Sequence, residues 1–320
     1  TAALFVGLRQ ARANRRPGTV TFALLVFPPN LQPWVHTGTA AVTVKNLVYR
    51  GLLSFGPDGA IRSELAESWE PDGRMAWVFR LRRNAVFHDG RPVTSEDVKW
   101  MVEQVAAERS PAYLRTELQQ IERVETPDAH TVRMVTRQPI ATLPLWFAMP
   151  HLGVVARGTG QGGAAPVGAG PYTIRGQERG NWIELAAFDR YYKPGLPKSR
   201  TIRFVAYADD SARVAALQAG DVDLIEYTPW QSMATIEAEP NLKQDNTFGP
   251  YMALGFNGAA GPFRDARLRK AVGFAIRREE IVQAAFFGRG KVLQGMPIAE
   301  GTEFFNEEQS RYWSYDPARA

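Results

Sequence analysis

Histidines and neighbouring carboxylates are the side chains of this sequence that acid–base or metal chemistry would use. The four histidines are His36, His88, His130 and His151. No two of them are four residues apart, so the spacing that places two imidazoles on one helix face for zinc is missing. His88 directly precedes Asp89, but neighbours on a tight turn cannot easily set a base against the carboxylate that orients it. We therefore expect a structural turn at this point.

The other motifs that often carry catalysis favour structural roles. The acidic pairs at 209–210 and 279–280 fall where helices are predicted to begin, so capping and the helix dipole account for them. The segment 168–171 is rich in glycine but lacks the Lys-Ser/Thr pair of a phosphate-binding loop. The sequence contains no cysteine, which removes thiolate nucleophiles and cysteine-based metal sites. We predict that the protein is not an enzyme and has no catalytic residue, metal site or cofactor.

Gln32 and Trp34 are the first candidates for ligand contacts. They follow a predicted strand, Val20 to Phe27, which ends before Pro28 because proline cannot donate a hydrogen bond to a sheet. In α/β sheets, ligands bind beyond the carboxyl ends of the strands, and this favours the position for a site. The alternative role for Trp34 is packing within the fold.

Turn signals and hydrophobic alternation define the elements after residue 50. Asp-Gly pairs at 58–59, 72–73 and 89–90 predict tight turns, because glycine readily adopts positive φ and aspartate tolerates it. Between the last two pairs, alternation of apolar with polar residues predicts a strand that includes Phe79 and Leu81. Thr94 then caps a predicted helix. The apolar stripe of that helix comprises Val98, Met101, Val102 and Val105.

The second half of the chain alternates strands with a helix. Strands are predicted at 172–174, 182–185 and 200–207, with a short buried strand at 222–225. Between the last two strands, Asp209 or Ser211 caps a helix that ends at Ala219, and Gly220 follows it. Strands that alternate with helices predict an α/β architecture with parallel pairing.

A set of short motifs, in a fixed order over residues 20–320, resembles a known family. The motifs are LAESW at 65–69, FHDG at 87–90, TSEDV at 94–98, PVGAGPY at 166–172, DRYYKPG at 189–195, ALQAGDVD at 216–223 and FRDARLRKA at 263–271. They resemble the signature of the extracellular solute-binding proteins of family 5, the receptors of ABC importers for dipeptides, oligopeptides, nickel and related solutes. Ala169 stands where the family usually has threonine. Each motif alone is weak, whereas the ordered set is specific.

The resemblance implies an α/β, two-lobed periplasmic-binding-protein fold of type II (a Venus flytrap) with an extra subdomain. The predicted domains are lobe I at 14–35 and 166–255, the extra subdomain at 36–165, and the start of an incomplete lobe II at 256–320. The lobes would close on a ligand by hinge bending. We expect the hinge near Phe256, Asn257 and Gly258, because Gly and Asn absorb large backbone changes.

The resemblance also implies further ligand-binding residues. Arg109 and Tyr113 follow the helix capped by Thr94, in a region similar to one that faces the cleft in the nickel-binding branch. The planar guanidinium of Arg109 could meet a ligand carboxylate. His151 lies where that branch presents a polar residue to the ligand, and Tyr251 precedes the predicted hinge. A packing or surface role is the alternative for each of these residues.

Composition and the N-terminal stretch bear on the compartment. With 45% hydrophobic and 22% charged residues, the sequence is typical of a soluble globular protein, and no apolar run reaches the ~18 residues that span a bilayer. Residues 1–13 resemble the end of a secretory signal peptide that is cleaved after Ala13. A native N-terminal helix is the alternative. Because no cysteine could carry a lipid, we expect a soluble periplasmic protein that is not lipid-anchored.

Solute capture for an ABC importer is the function that these features predict. We expect a monomer that holds a di- or oligopeptide between its lobes, largely by main-chain hydrogen bonds, and delivers it to permease subunits in the inner membrane. The net charge of +5 is scattered, so nucleic-acid binding is not predicted. The alternatives are a non-peptide solute (a metal chelate, an oligosaccharide or an opine-like conjugate), a sensory or chaperone-like binding protein, and an extracytoplasmic hydrolase.

Overall fold

The chain divides into two compact units, Thr1–Tyr227 and Thr228–Ala320. The computed structural model describes residues 18–160, 165–245, 251–295, 298 and 305–320. The predicted signal segment, 1–13, lies outside the described residues. The predicted domain boundaries stay predictions, and each unit is described by itself below.

The described secondary structure is mixed. The strands are β1 (Thr19–Leu24), β2 (Leu53–Phe55), β3 (Ile61–Ser63), β4 (Ala66–Asp72), β5 (Ala76–Leu81), β6 (Ile121–Asp128), β7 (Thr131–Thr136), β8 (Tyr172–Glu178), β9 (Trp182–Ala187), β10 (Thr201–Ala206) and β11 (Leu224–Ile225). The α-helices are α1 (Thr39–Val48), α2 (Ser95–Ala106), α3 (Arg115–Leu118), α4 (Leu143–Ala148), α5 (Asp210–Ala219), α6 (Met233–Ala238), α7 (Ala266–Ala275), α8 (Arg278–Phe286) and α9 (Glu307–Ser310). None of these described helices is long and apolar enough to cross a bilayer.

A five-stranded sheet in the first unit has the order β11-β1-β10-β9-β8. β1 pairs in parallel with β10 and with β11, whereas β8, β9 and β10 pair antiparallel. The predicted parallel pairing is therefore right for β1 and its two neighbours and wrong for β8 and β9. A short turn with Gly180 at φ 83° joins those two strands, and so short a connection fits only antiparallel neighbours.

Two strands of this sheet are shorter than predicted. β1 ends at Leu24, before Pro28, because the next backbone N–H, that of Leu25, donates to the carboxylate of Glu226 at 3.1 Å instead of to a strand. β11 contains only two residues. Its Leu224 is 50% exposed, since β11 lies at the edge of the sheet.

Helix α5 follows β10 as predicted. Asp209, and not Ser211, caps it, because the Asp209 carboxylate accepts a hydrogen bond from Ala212 N at 2.7 Å. Gly220 ends the helix in the left-handed region at φ 78°, where a side chain would be strained.

The second sheet is antiparallel, in the order β4-β5-β7-β6. The predicted Asp-Gly turns are confirmed, since Gly59, Gly73 and Gly90 have φ of 76°, 68° and 89°. Phe79 and Leu81 of β5 are buried in the apolar core that this sheet forms with the predicted apolar stripe of α2. Burying such side chains contributes roughly 1.5–3 kcal/mol each.

The start of α2 is fixed by a capping carboxylate. Thr94 N donates to Asp97 Oδ2 at 2.9 Å, which confirms the predicted cap position. The second oxygen, Oδ1, accepts from Arg157 N at 3.0 Å. One side chain thus ties the helix start to the end of the segment 149–157, which carries His151.

The glycines of the 166–172 motif lie against the end of α1. Gly170 N donates to Val48 O at 2.9 Å, and a Cβ on Gly170 would lie 2.4 Å from Leu47 O. His88 contacts the same glycines. Its backbone N–H donates to Gly168 O at 2.9 Å, and its ring Nε2 is hydrogen-bonded to Gly170 O at 3.1 Å. His88 is therefore structural, as its turn predicted.

Glu64 connects the predicted extra subdomain to the predicted lobe I inside this one unit. It is buried, and its Oε2 accepts from Tyr192 Oη at 2.6 Å and from Lys193 Nζ at 2.8 Å. Its Oε1 accepts from Ser54 Oγ at 3.0 Å. Tyr191 and Tyr192 of the DRYYKPG motif belong to the same apolar core as the second sheet.

The second unit contains helices α6 to α9 among its described residues and buries little apolar surface. Its buried apolar residues in the described segments are Pro229, Met233, Ile236 and Phe274. Leu268 of α7 and Ile281 of α8 are 44% and 47% exposed.

Candidate functional site

Three segments of the first unit bring Tyr113 and His151 together with His36. The segments are 25–38 after β1, 107–114 after α2, and 149–156 after α4. The Tyr113 ring centroid lies 4.6 Å from that of His151 and 5.2 Å from that of His36. The two imidazoles cross edge-on at 5.0 Å. We call these three side chains the ring cluster.

Trp34 lies in the first of these segments and is hydrogen-bonded to the other two. Its indole Nε1 donates to Gly153 O at 2.9 Å, its carbonyl accepts from Tyr113 N at 2.9 Å, and its ring meets the edge of Trp100 at 5.8 Å. These bonds join the three segments to one another. Because Trp34 is only half-buried, both roles predicted for it, ligand contact and packing, remain compatible with this position.

Lys45 of α1 lies beneath the segment 25–38. The residue is 1% exposed, and its ammonium donates to Gln32 O at 3.1 Å and to Val35 O at 2.5 Å. Both partners are neutral carbonyls, and the described residues provide no carboxylate within ion-pair distance. Burial lowers the pKa of Lys45 from its ordinary value, since desolvation disfavours the charged form.

His151 is buried, and one of its two ring nitrogens, Nδ1, has no hydrogen-bond partner among the described residues. The residue is 6% exposed, and its Nδ1 makes no hydrogen bond within the described chain. Desolvation lowers the pKa of His151 to about 4, and the charges of His36 and Lys45 act in the same direction. His151 is therefore neutral at pH 7 in this structure.

Gln32 and Arg109 lie outside the ring cluster. Gln32 is exposed and lines a cavity of about 330 Å³ together with Tyr49, Ile174 and Arg179. Arg109 is exposed, and within the described residues its side chain has no hydrogen bond or ion pair. A guanidinium without an internal partner is available to a ligand carboxylate and is equally typical of a solvated surface residue.

Tyr251 and the predicted hinge belong to the second unit. Tyr251 is 56% exposed and lies in a segment without helix or strand. The Phe256 ring packs on Phe263 at 4.8 Å, and Asn257 Oδ1 accepts from Ala259 N at 3.0 Å. Gly258 is not in the left-handed region. The binding role of Tyr251 and the hinge role of the other three residues stay predictions.

His36 and Lys45 are components that the sequence did not single out. Spacing along one helix cannot reveal this pair, because His36 and His151 meet from loops 115 positions apart in sequence. The nearest signal was that His36 lies two residues after Trp34. Nothing in the pattern of α1 marked its lysine as buried.

The ring cluster offers groups that can bind a ligand. The described residues contain no group of three or more His, Cys, Asp or Glu side chains that could hold a metal ion. An exposed tyrosine and an exposed imidazole beside a buried one offer stacking faces and hydrogen-bonding groups. Such a surface is suited to holding a small polar solute.

A family model matches most of the chain. The model of the bacterial extracellular solute-binding proteins, family 5 Middle, matches residues 60–320. Among curated proteins, the glutathione-binding protein GsiB of Escherichia coli O1:K1 is 25% identical over 302 residues. The alignment covers 91% of this chain and 57% of that protein.

Solved structures share the fold. The periplasmic binding protein AgaA from A. tumefaciens R10, in complex with agropinic acid, superposes with a TM-score of 0.87 at 37% identity, over 94% of this chain and 62% of that one. DppA from Helicobacter pylori, in complex with the peptide STSA, gives a TM-score of 0.82 at 19% identity, over 94% and 64%. The predicted α/β type II periplasmic-binding-protein fold is confirmed, and the chain spans about 60% of these relatives.

Proposed function

Since the chain belongs to the bacterial extracellular solute-binding proteins of family 5, as its ordered motifs predicted, we propose that it captures a small solute and delivers it to the permease of an ABC importer. Proteins of this family bind solutes and are not enzymes. A periplasmic location and a monomeric receptor are parts of the same proposal.

The observation that carries the proposal is the convergence of three loops on the ring cluster. Tyr113 is 52% exposed, yet its backbone is fixed to Trp34 and its ring rests on two imidazoles. Rigid aromatic rings with polar edges bind at low entropic cost. Micromolar affinity, about −8 kcal/mol, requires only a few hydrogen bonds in addition to such contacts.

A short peptide is the first candidate solute. An extended peptide satisfies its own N–H and C=O groups through main-chain hydrogen bonds and leaves its side chains to tolerant pockets. The fold shared with the peptide-bound DppA is compatible with this choice but, at 19% identity, supports the fold alone.

An opine-like amino-acid conjugate is the second candidate, and one observation favours it. The chain is 37% identical to AgaA, which is in complex with agropinic acid, a higher identity than that to the peptide-bound DppA. The AgaA alignment covers less than two thirds of that protein, so the solute remains part of the proposal.

Mass spectrometry of the solute that co-purifies with the full-length protein, released by mild denaturation, tests the proposal. We expect a single small solute, and calorimetry with that compound should give micromolar or tighter binding. Tyr113→Ala should weaken this binding while Tyr113→Phe retains it. A protein that binds no solute in either experiment would contradict the proposed function.

A further inference from the structure

We propose that the ring cluster selects an anionic group of the solute, a carboxylate, because the buried ammonium of Lys45 leaves an uncompensated positive charge beneath it. This inference rests on the proposed function and specifies the chemical class of the solute.

The positive charge of Lys45 is buried and, among the described residues, not paired with a negative one. A charge removed from water is costly unless it is paired or fully hydrogen-bonded. Lys45 is 1% exposed and donates to two carbonyl oxygens, whereas an ammonium has three donors. Carbonyl dipoles solvate the charge without cancelling it, so its field extends into the surroundings.

The elements that build the site contain almost no acidic residues. Segments 25–38 and 149–156 and helix α1 contain no Asp or Glu, and segment 107–114 contains one acid, Glu108. Against that exposed carboxylate stand Lys45 and Arg109. The site therefore lacks the counter-charge that a buried lysine normally has in a protein.

The Lys45 ammonium lies next to the loop that carries the ring cluster. It donates to Val35 O, the carbonyl directly before His36, and the His36 ring lies 5.0 Å from that of His151. His151 is buried, and its Nδ1 has no partner in the described chain. An anion against the rings would be attracted by Lys45 and could accept a hydrogen bond from an imidazole N–H.

The outer face of the ring cluster is accessible to a ligand. Tyr113 and His36 are exposed, so a ligand can reach the outer face of the cluster while Lys45 stays covered. Lys45 would act as a positioning residue through its field, and the rings would make the contacts. The same positive charge repels a free cation, so cation binding is disfavoured.

Paired acid and neutral probes provide the test. Calorimetry on the full-length protein would compare agropinic acid, glutathione and tri-alanine, each with its carboxyl-amidated derivative. For each probe pair that binds, we expect the acid to bind about tenfold more tightly than the amide, as one nearby, partly screened charge permits. In Lys45→Met this ratio should fall toward one, while Lys45→Arg and the exposed control Lys198→Met should retain it.

The outcomes separate this inference from the proposed function. An acid-to-amide ratio below about threefold in the unmodified protein, or an unchanged ratio in Lys45→Met, would overturn the anion site while leaving solute capture intact. If Lys45→Met does not fold, the ratio in the unmodified protein decides. Binding of none of the probes, with no co-purified solute, would contradict the proposed function and this inference together.

Discussion

Tyr113 offers the most direct test at the scale of single residues. The side chain is 52% exposed and its ring lies against His151 and His36, so its removal creates no buried cavity. Tyr113→Ala should weaken solute binding about three- to tenfold, which is the worth of an aromatic contact, and leave the thermal midpoint nearly unchanged. Calorimetry with the co-purified solute, and scanning calorimetry for stability, measure both quantities. Equal affinity in Tyr113→Ala and the unmodified protein would remove Tyr113 from the site.

Arg109 requires a separate experiment because it lies outside the ring cluster. If its guanidinium reaches a ligand carboxylate, Arg109→Ala should cost roughly 1.5–3 kcal/mol of binding free energy, the value of a charge-assisted hydrogen bond. Arg74→Ala, another exposed arginine, is the matched control and should bind normally. Indistinguishable affinities for the two variants would identify Arg109 as a solvated surface residue.

His151 predicts how stability depends on pH. Its pKa is lowered to about 4 in the folded protein from the ordinary 6.5 of the unfolded chain, so the unfolded state takes up a proton that the folded state resists. Stability should be full above pH 6.5 and decrease as the pH falls toward 4, by at most about 3 kcal/mol from this group. Desolvation also lowers the pKa of His88, which acts in the same direction. In His151→Asn, urea unfolding between pH 7.5 and 4.5 should show a shallower loss, and an equally steep loss would contradict the assignment.

The sequence predicted three of the residues that the structure brings together, and their binding role stays a prediction. Trp34, Tyr113 and His151 were predicted in separate segments, and the structure brings them to one place. Rules based on short spacings could not find His36 or Lys45. His36 and His151 meet only through tertiary packing, and the burial of Lys45 depends on where the loop before α1 folds back.

The glycine turn at 168–170 provides the test at the scale of elements. In Gly170→Ala the new Cβ would lie 2.4 Å from Leu47 O at the end of α1, and a backbone atom cannot move aside cheaply. We expect a loss of about 1–3 kcal/mol in unfolding free energy, typical of overpacking. Gly176→Ala in β8 is the matched control, since its Cβ would meet only Trp182 at an ordinary 3.5 Å. Urea denaturation of both variants measures the difference, and equal stability would show that the turn can shift.

Element types were predictable where local signals determine them. Capping by Thr94 and Asp209, the Asp-Gly turns and the apolar stripe of α2 are local, and all are confirmed. Strand ends and pairing are not local. β1 ends early because the next backbone N–H, that of Leu25, donates to a carboxylate 201 residues away. The sequence pattern of the hairpin β8–β9 does not differ from that of the parallel strands.

At the scale of the whole molecule, the boundary that the family resemblance predicts between 165 and 166 stays a prediction. A buried carboxylate and a shared core join the segments on either side of it within the first unit. The Lys193–Glu64 pair and the Tyr192–Glu64 hydrogen bond cross that position. The domain assignment therefore depends on how the neighbouring parts pack.

The two units should differ in stability. The first has extensive apolar cores around two sheets, whereas the described part of the second buries only Pro229, Met233, Ile236 and Phe274 among its apolar residues. Local stability follows buried apolar contacts, and each buried side chain contributes roughly 1.5–3 kcal/mol against a typical total of 5–15 kcal/mol. Hydrogen exchange on the 320-residue chain should therefore show strong protection in β1, β5, β7 and β10 and weak protection in α7 and α8. When exchange of the same amides is monitored during a urea titration, α7 and α8 should unfold first, because Leu268 and Ile281 are largely exposed. Equal protection in both units, lost in one transition, would mean that the second unit is stabilised by more than its own buried side chains.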